Sequence, residues 1–229
     1  MRPRVIIWVL ILTAVLLLPR IVLPGLFEKT VVEYLEAELG GESQIKIQTR
    51  FGWELLFGRF ASISIYGRNW NLNGLPIAAF ELSSRDAAID VQRLLQNGDF
   101  AYLGAEELHA ELILSEAGLN QYFWERLDRN QLFTIDLREN QAALNGTVEL
   151  WQISWSVSLL TELQIIDPAQ IVIMPVDFLI EDTRVPSLLL ELVSEAYTLQ
   201  IDLGDLPIPI QLDEIRIKED RIELYGSGA

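Results

Sequence analysis

The chain has 229 residues, half of them hydrophobic, which suits one globular domain with an appendage rather than a disordered or collagen-like chain. Seventeen Lys and Arg against 33 Asp and Glu give a net charge of −16. Such a surface repels phosphates, which speaks against nucleic acid and against purely electrostatic docking on anionic lipid. The absence of cysteine removes disulfides, thiolate nucleophiles and cysteine metal sites, and one histidine leaves little for zinc or triad chemistry.

Arg2 and Arg4 precede an apolar run from Val5 to Leu18. Its 14 residues cover about 21 Å as a helix, against a bilayer core of about 30 Å. That length fits the apolar stretch of a cleaved signal peptide, and a buried core helix is a third reading. The apolar pattern resumes after Pro19-Arg20, however, and no small-x-small cleavage site interrupts it. Residues 1–25 are therefore predicted to be an uncleaved signal-anchor transmembrane helix. The positive-inside rule keeps the N-terminus cytoplasmic and places residues 26–229 outside the cytoplasm, on a single-pass protein of the cell membrane. Without Arg2, Arg4 and Arg20 the exported part holds 14 basic and 33 acidic residues, a net charge of −19.

Past the anchor, Phe27, Val31, Tyr34 and Leu35 keep helical spacing up to a stop at Gly40-Gly41. Between Arg50 and Arg59, the glycine-bounded stretch with Trp53, Leu55, Leu56 and Phe57 predicts a loop that inserts into a membrane surface. A short helix capping the core is the alternative. Ala61, Ile63 and Ile65 alternate with serines as in a one-sided strand, and His109 falls on the exposed side of another. A helix starts at the N-cap Ser115, with Leu119, Tyr122, Phe123 and Leu127 on one face. Asn145-Gly146 predicts a hairpin turn before Val148. Trp151, Ile153, Trp155, Val157 and Leu159 then alternate with polar residues. Pro186 opens a helix carrying Leu189, Leu192, Val193, Ala196 and Tyr197, and Val185, Pro186 and Leu188 offer a second apolar lip. Ile208, Ile210 and Leu212 lead to a bulge at Asp213-Glu214, and Glu219-Asp220 turns the chain into Ile222 and Leu224. One-sided strands belong to antiparallel sheets, so the fold class is α+β, with a curved antiparallel sheet against amphipathic helices.

Several segments, in order, resemble the LmeA-like phospholipid-binding family of bacterial envelopes. They are Leu55-Leu56-Phe57-Gly58-Arg59-Phe60 running into Ser62-Ile63-Ser64-Ile65, Gly74-Leu75-Pro76-Ile77, Leu114-Ser115-Glu116-Ala117-Gly118-Leu119-Asn120, Leu206-Pro207-Ile208-Pro209-Ile210, and Ile222-Glu223-Leu224-Tyr225-Gly226. The resemblance covers residues 26–229. It implies an extracytoplasmic lipid-binding domain, membrane-anchored, with a TULIP-like tubular sheet around helices and no catalytic residues. The strong acidity departs from what recognition of an anionic headgroup asks for.

If the helices leave the inner sheet face incompletely filled, Ile63, Ile65, Trp151, Ile153, Trp155, Val157, Leu189, Leu192 and Val193 line a groove for phospholipid acyl chains. If they fill it, the same residues form an ordinary core. The domain is then a structural adaptor whose acidic face suits a cationic envelope partner. No nucleophile elbow, phosphate loop, dinucleotide fingerprint or zinc motif occurs, so no enzyme, no metal and no cofactor are expected. The carboxylate pairs Asp86/Asp90, Asp202/Asp205 and Asp213/Glu214 follow no recognised metal-loop spacing, which leaves a carboxylate hydrolase as a trailing third class.

Overall fold

In the computed structural model, residues 22–97, 100–150, 153–181 and 183–228 are described, apart from the side chains of 95, 97, 148–150, 153, 189 and 192. The first helix, α1, runs over residues 22–39 and so begins before the expected domain boundary at 26. It buries Phe27, Val31, Leu35 and Leu39 at helical spacing, about 2 kcal/mol of transfer free energy apiece. Its glutamates have a second role. Glu28 accepts the Ile47 N–H at 2.8 Å and Glu36 the Ser43 N–H at 3.2 Å, both from the outer edge of β1 (Glu42–Gln48). Helix α1 thus lies along the free edge of a sheet, antiparallel to its first strand.

That sheet holds β1, β2 (Arg59–Leu72), β3 (Leu75–Ile89), β5 (Glu107–Ser115), β13 (Arg221–Gly228) and β12 (Ile210–Lys218) in this order, all antiparallel, with β4 (Tyr102–Gly104) beside β3. A short helix, α2 (Val91–Asn97), joins β3 to β4. The bulge expected at Asp213-Glu214 appears as a register shift between Leu212 and Glu214, and Asp220 turns β12 into β13 with φ 63°.

A second antiparallel sheet follows the order β10 (Thr183–Arg184), β9 (Gln170–Ile180), β8 (Ile153–Asp167), β7 (Gln141–Leu150), β6 (Phe133–Arg138), and β11 (Leu199–Asp202) also pairs with β9. The single curved sheet of the sequence reading is therefore two sheets sharing one core. They meet where Asn140 donates to the Ile217 carbonyl and Leu212 to that of Pro168. Asn145-Gly146 is not a hairpin turn. Both residues lie inside β7, paired to Thr134 and Phe133 on one side and to Ser158 and Val157 on the other. The turn sits earlier, at Asn140, whose φ is 59°. Glycine is needed at 146 because a Cβ there would stand 2.3 Å from the Leu132 carbonyl oxygen.

Helix α3 (Glu116–Arg126) begins as expected, with Ser115 Oγ accepting the Gly118 N–H at 3.2 Å. Leu119, Tyr122 and Phe123 are buried, but Leu127 sits at the C-cap and is exposed, so it does not share their face. The neighbouring stripe of α3 closes the edge of β6. Glu116, Asn120 and Asp128 accept the N–H groups of Leu137, Ile135 and Phe133 at 2.6–2.7 Å, while Asn120 and Trp124 donate to the carbonyls of Ile135 and Phe133. Helix α4 (Ser187–Tyr197) fills the gap along β9 between β10 and β11. Pro175, lacking an N–H, occupies that gap, and its carbonyl accepts the Ser194 hydroxyl at 2.8 Å.

Candidate functional site

The stretch from Trp53 to Phe57 is a 3-10 helix, η1, between Gly52 and Gly58. Gly58, at φ 70°, passes so close to β3 that a Cβ would lie 2.1 Å from the Ile89 carbonyl oxygen. Arg50 pairs with Asp86 at 2.5 Å, and its backbone N–H is capped by Glu54. The 3-10 turn divides the expected docking residues. Leu55 is 0% exposed and packs under η1, so it is a core residue and cannot enter a membrane. Trp53, Leu56 and Phe57 face outward at 39%, 47% and 80% exposure, and Phe51, absent from the sequence prediction, is 73% exposed.

This end of the molecule collects further apolar surface. Phe27 meets Phe60 edge-to-face at 6.0 Å, which sets the start of α1 beside the start of β2 and hence beside η1. Val22 and Leu26, on the first turns of α1, are exposed there. Leu103 is also exposed, on β4, whose neighbours Tyr102 and Gly104 pair with Ile89 and Ala88 next to Gly58. Three separate elements thus present large apolar side chains at the end where residues 1–21 join the fold. Those residues lie outside the description, and among the described residues no helix is long and apolar enough to cross a membrane.

The expected groove residues fall on both sheets. Ile63 and Ile65 are buried on β2, in the core beneath α1. A void at this core, between Leu35, Trp70, Phe80 and Ile208, is only about 10 Å³, room for a water at most and not for an acyl chain. Ile63 and Ile65 themselves belong to the hydrophobic core cluster. Val157 is buried on β8, and Trp155 and Val193 are half-buried. Trp151 and the side chains of Ile153, Leu189 and Leu192 lie outside the description. Around Val193 the apolar residues Phe178, Ile180 and Tyr197 are likewise only half-covered. Partly buried apolar side chains thus lie on β8, β9 and α4, as they also do on α1, β1, α3 and β12.

Ionisable residues on β13 form a ladder of paired side chains. On β13, Arg221 pairs with Glu223 at 2.8 Å and Tyr225 donates to the same carboxylate at 3.1 Å. The Arg221 hydrogen bond holds the Glu223 carboxyl below its usual range, and burial pushes the Tyr225 phenol up. His109 is exposed on β5. Among the described residues, no group of three or more His, Asp or Glu is placed to hold a metal ion.

Against known families, one sequence profile matches residues 24–227, from the first turns of α1 to the penultimate residue of β13. The chain belongs to the LmeA-like phospholipid-binding family. No curated protein and no solved structure matches it. Membership in the LmeA-like family makes lipid the supported ligand class, and its span takes in both sheets and all four α-helices. The mixed antiparallel architecture agrees with the α+β class.

Proposed function

We propose that this LmeA-like protein is anchored in the cell membrane by residues 1–25, stands outside the cytoplasm, and binds phospholipid for envelope lipid handling without catalysing a reaction. The observation that carries this reading is the convergence of exposed Phe51, Trp53, Leu56, Phe57, Leu103, Val22 and Leu26 at the end where the apolar N-terminal segment attaches. With net charge opposing approach to an anionic leaflet, apolar insertion is the attraction that remains. The acyl chains are assigned to the half-covered surface of β8, β9 and α4, along Trp155, Val157 and Val193, with Trp151, Ile153, Leu189 and Leu192 as further lining. In this reading α4 and the second sheet supply the open part of a TULIP-like tube, while α1 and the first sheet form its closed part.

The test is phospholipid retention by the full chain, purified in detergent and exchanged into lipid-free micelles, with Val193→Asp as the variant. Stoichiometric phospholipid on the parent and its loss from a folded V193D protein are expected. A lipid-free parent would refute the reading and favour an adaptor with a filled core.

A further inference from the structure

The outer face of the second sheet, turned away from the core, carries a depression of about 480 Å³ across β6, β7 and β8, closed at one side by the end of β9. Its floor is apolar and low. Ala143 sits where most strand residues would raise a larger side chain, and Leu160 and Leu179 continue it, while Val157 points to the opposite, core-facing side of β8. Its rim is polar and connected. Arg138 pairs with Asp136 at 2.9 Å, Asn145 donates to the same carboxylate at 3.0 Å, and Ser158 donates to Asn145 Oδ1 at 2.7 Å. Glu181 completes the rim, held by the Ser156 N–H at 2.7 Å.

We infer that this depression is a binding site for an uncharged sugar, separate from the lipid-binding region. Size, charge and chemistry each narrow the ligand. The volume lies within the range of small-molecule sites and suits one or two rings. Two carboxylates against one guanidinium, already paired with Asp136, give no excess positive charge, which excludes phosphates and other anions. A cationic ligand would leave the apolar floor without use. A neutral sugar uses both halves: its hydroxyls exchange donors and acceptors with Asp136, Asn145, Ser158 and Glu181, and its C–H face lies on Ala143 and Leu160. The row Arg138–Asp136–Asn145–Ser158 is bonded before any ligand arrives, so the polar groups are fixed in place and little side-chain entropy is lost on binding.

The experiment is saturation-transfer NMR on the full chain in phosphatidylcholine nanodiscs, with glucose, galactose, N-acetylglucosamine and cellobiose as probes and inorganic phosphate as the anion. Transfer to at least one sugar is expected, with no phosphate binding. Ala143→Leu fills the floor without removing a hydrogen bond, and Arg138→Ala opens the rim at an exposed position. Each should weaken sugar binding at least about tenfold, a change of about 1.4 kcal/mol, while phospholipid retention stays at the parental level. No transfer to any of the four sugars, binding of phosphate instead, or sugar binding unchanged in a folded Arg138→Ala protein would overturn the assignment.

Discussion

Replacing Phe51, Trp53, Leu56 and Phe57 together with serine strips the apolar surface from η1 without touching Leu55 beneath it. Large aromatic side chains bury about 150–250 Å² when covered. Scaled by exposures of 73%, 39%, 47% and 80%, the four present about 500 Å² of surface available for insertion. At about 25 cal/mol per Å² full insertion is worth about 12 kcal/mol. Partial insertion and lost side-chain entropy reduce this severalfold, to about 3 kcal/mol, or about a hundredfold in partitioning. Flotation of residues 22–229 with neutral vesicles, parent against variant, measures that ratio, and a melting curve checks that the fold is intact. Residue 22 is the right starting point, because Leu23 packs against the core and a start at 26 would remove it. Binding within about twofold of the parent, in a variant with an unchanged melting temperature, would refute the docking argument. An affinity that collapsed with added salt would do so too, since apolar insertion is not screened.

Leu55→Ala should behave oppositely to its exposed neighbours, costing about 3 kcal/mol of stability through the cavity it leaves, read from chemical denaturation. Asn120→Ala should cost a similar amount, about 3 kcal/mol, because it strands a buried N–H and a carbonyl of Ile135; hydrogen exchange should show faster exchange of the Ile135 amide before any global change. Gly146→Ala should be more damaging than either, since the new methyl meets the Leu132 carbonyl at 2.3 Å, and should appear as loss of soluble folded protein. For Glu223, the depressed folded pKa means its pairing stabilises the fold above the ordinary glutamate range and is lost as pH falls through the folded value. Melting temperature should therefore drop with acidification below about 4.3, and Glu223→Gln should flatten that part of the profile.

Elements whose signal is local were legible in the sequence. Ser115 announced the start of α3, the alternation at Ile63 and Ile65 gave the buried face of β2, and Asp213-Glu214 and Glu219-Asp220 gave a bulge and a turn. Asn145-Gly146 misled because its turn propensity is overridden by pairing on both sides, with glycine required for a close approach instead. Leu55 could not be separated from Leu56 and Phe57 by composition, since its burial follows from the pitch of a five-residue 3-10 helix. The division into two sheets depends on contacts between residues as distant as Asn140 and Ile217, which no local pattern carries. One long-range feature did leave a trace: Glu116, Asn120, Trp124 and Asp128 repeat every fourth residue beside the apolar stripe of α3, the spacing of a helix that serves a strand edge.

That stripe bears on how the molecule avoids pairing edge to edge with its own copies. When copies of one protein meet, an unpaired strand is a template for growth of a shared sheet. Here β6 meets α3 in place of a strand, β1 meets the carboxylates of α1, and β9 is interrupted by a proline whose carbonyl α4 has already claimed. Side chains at helical spacing imitate the missing neighbour one hydrogen bond at a time. Neighbouring copies are left no ladder along these three margins on which to begin a fibril.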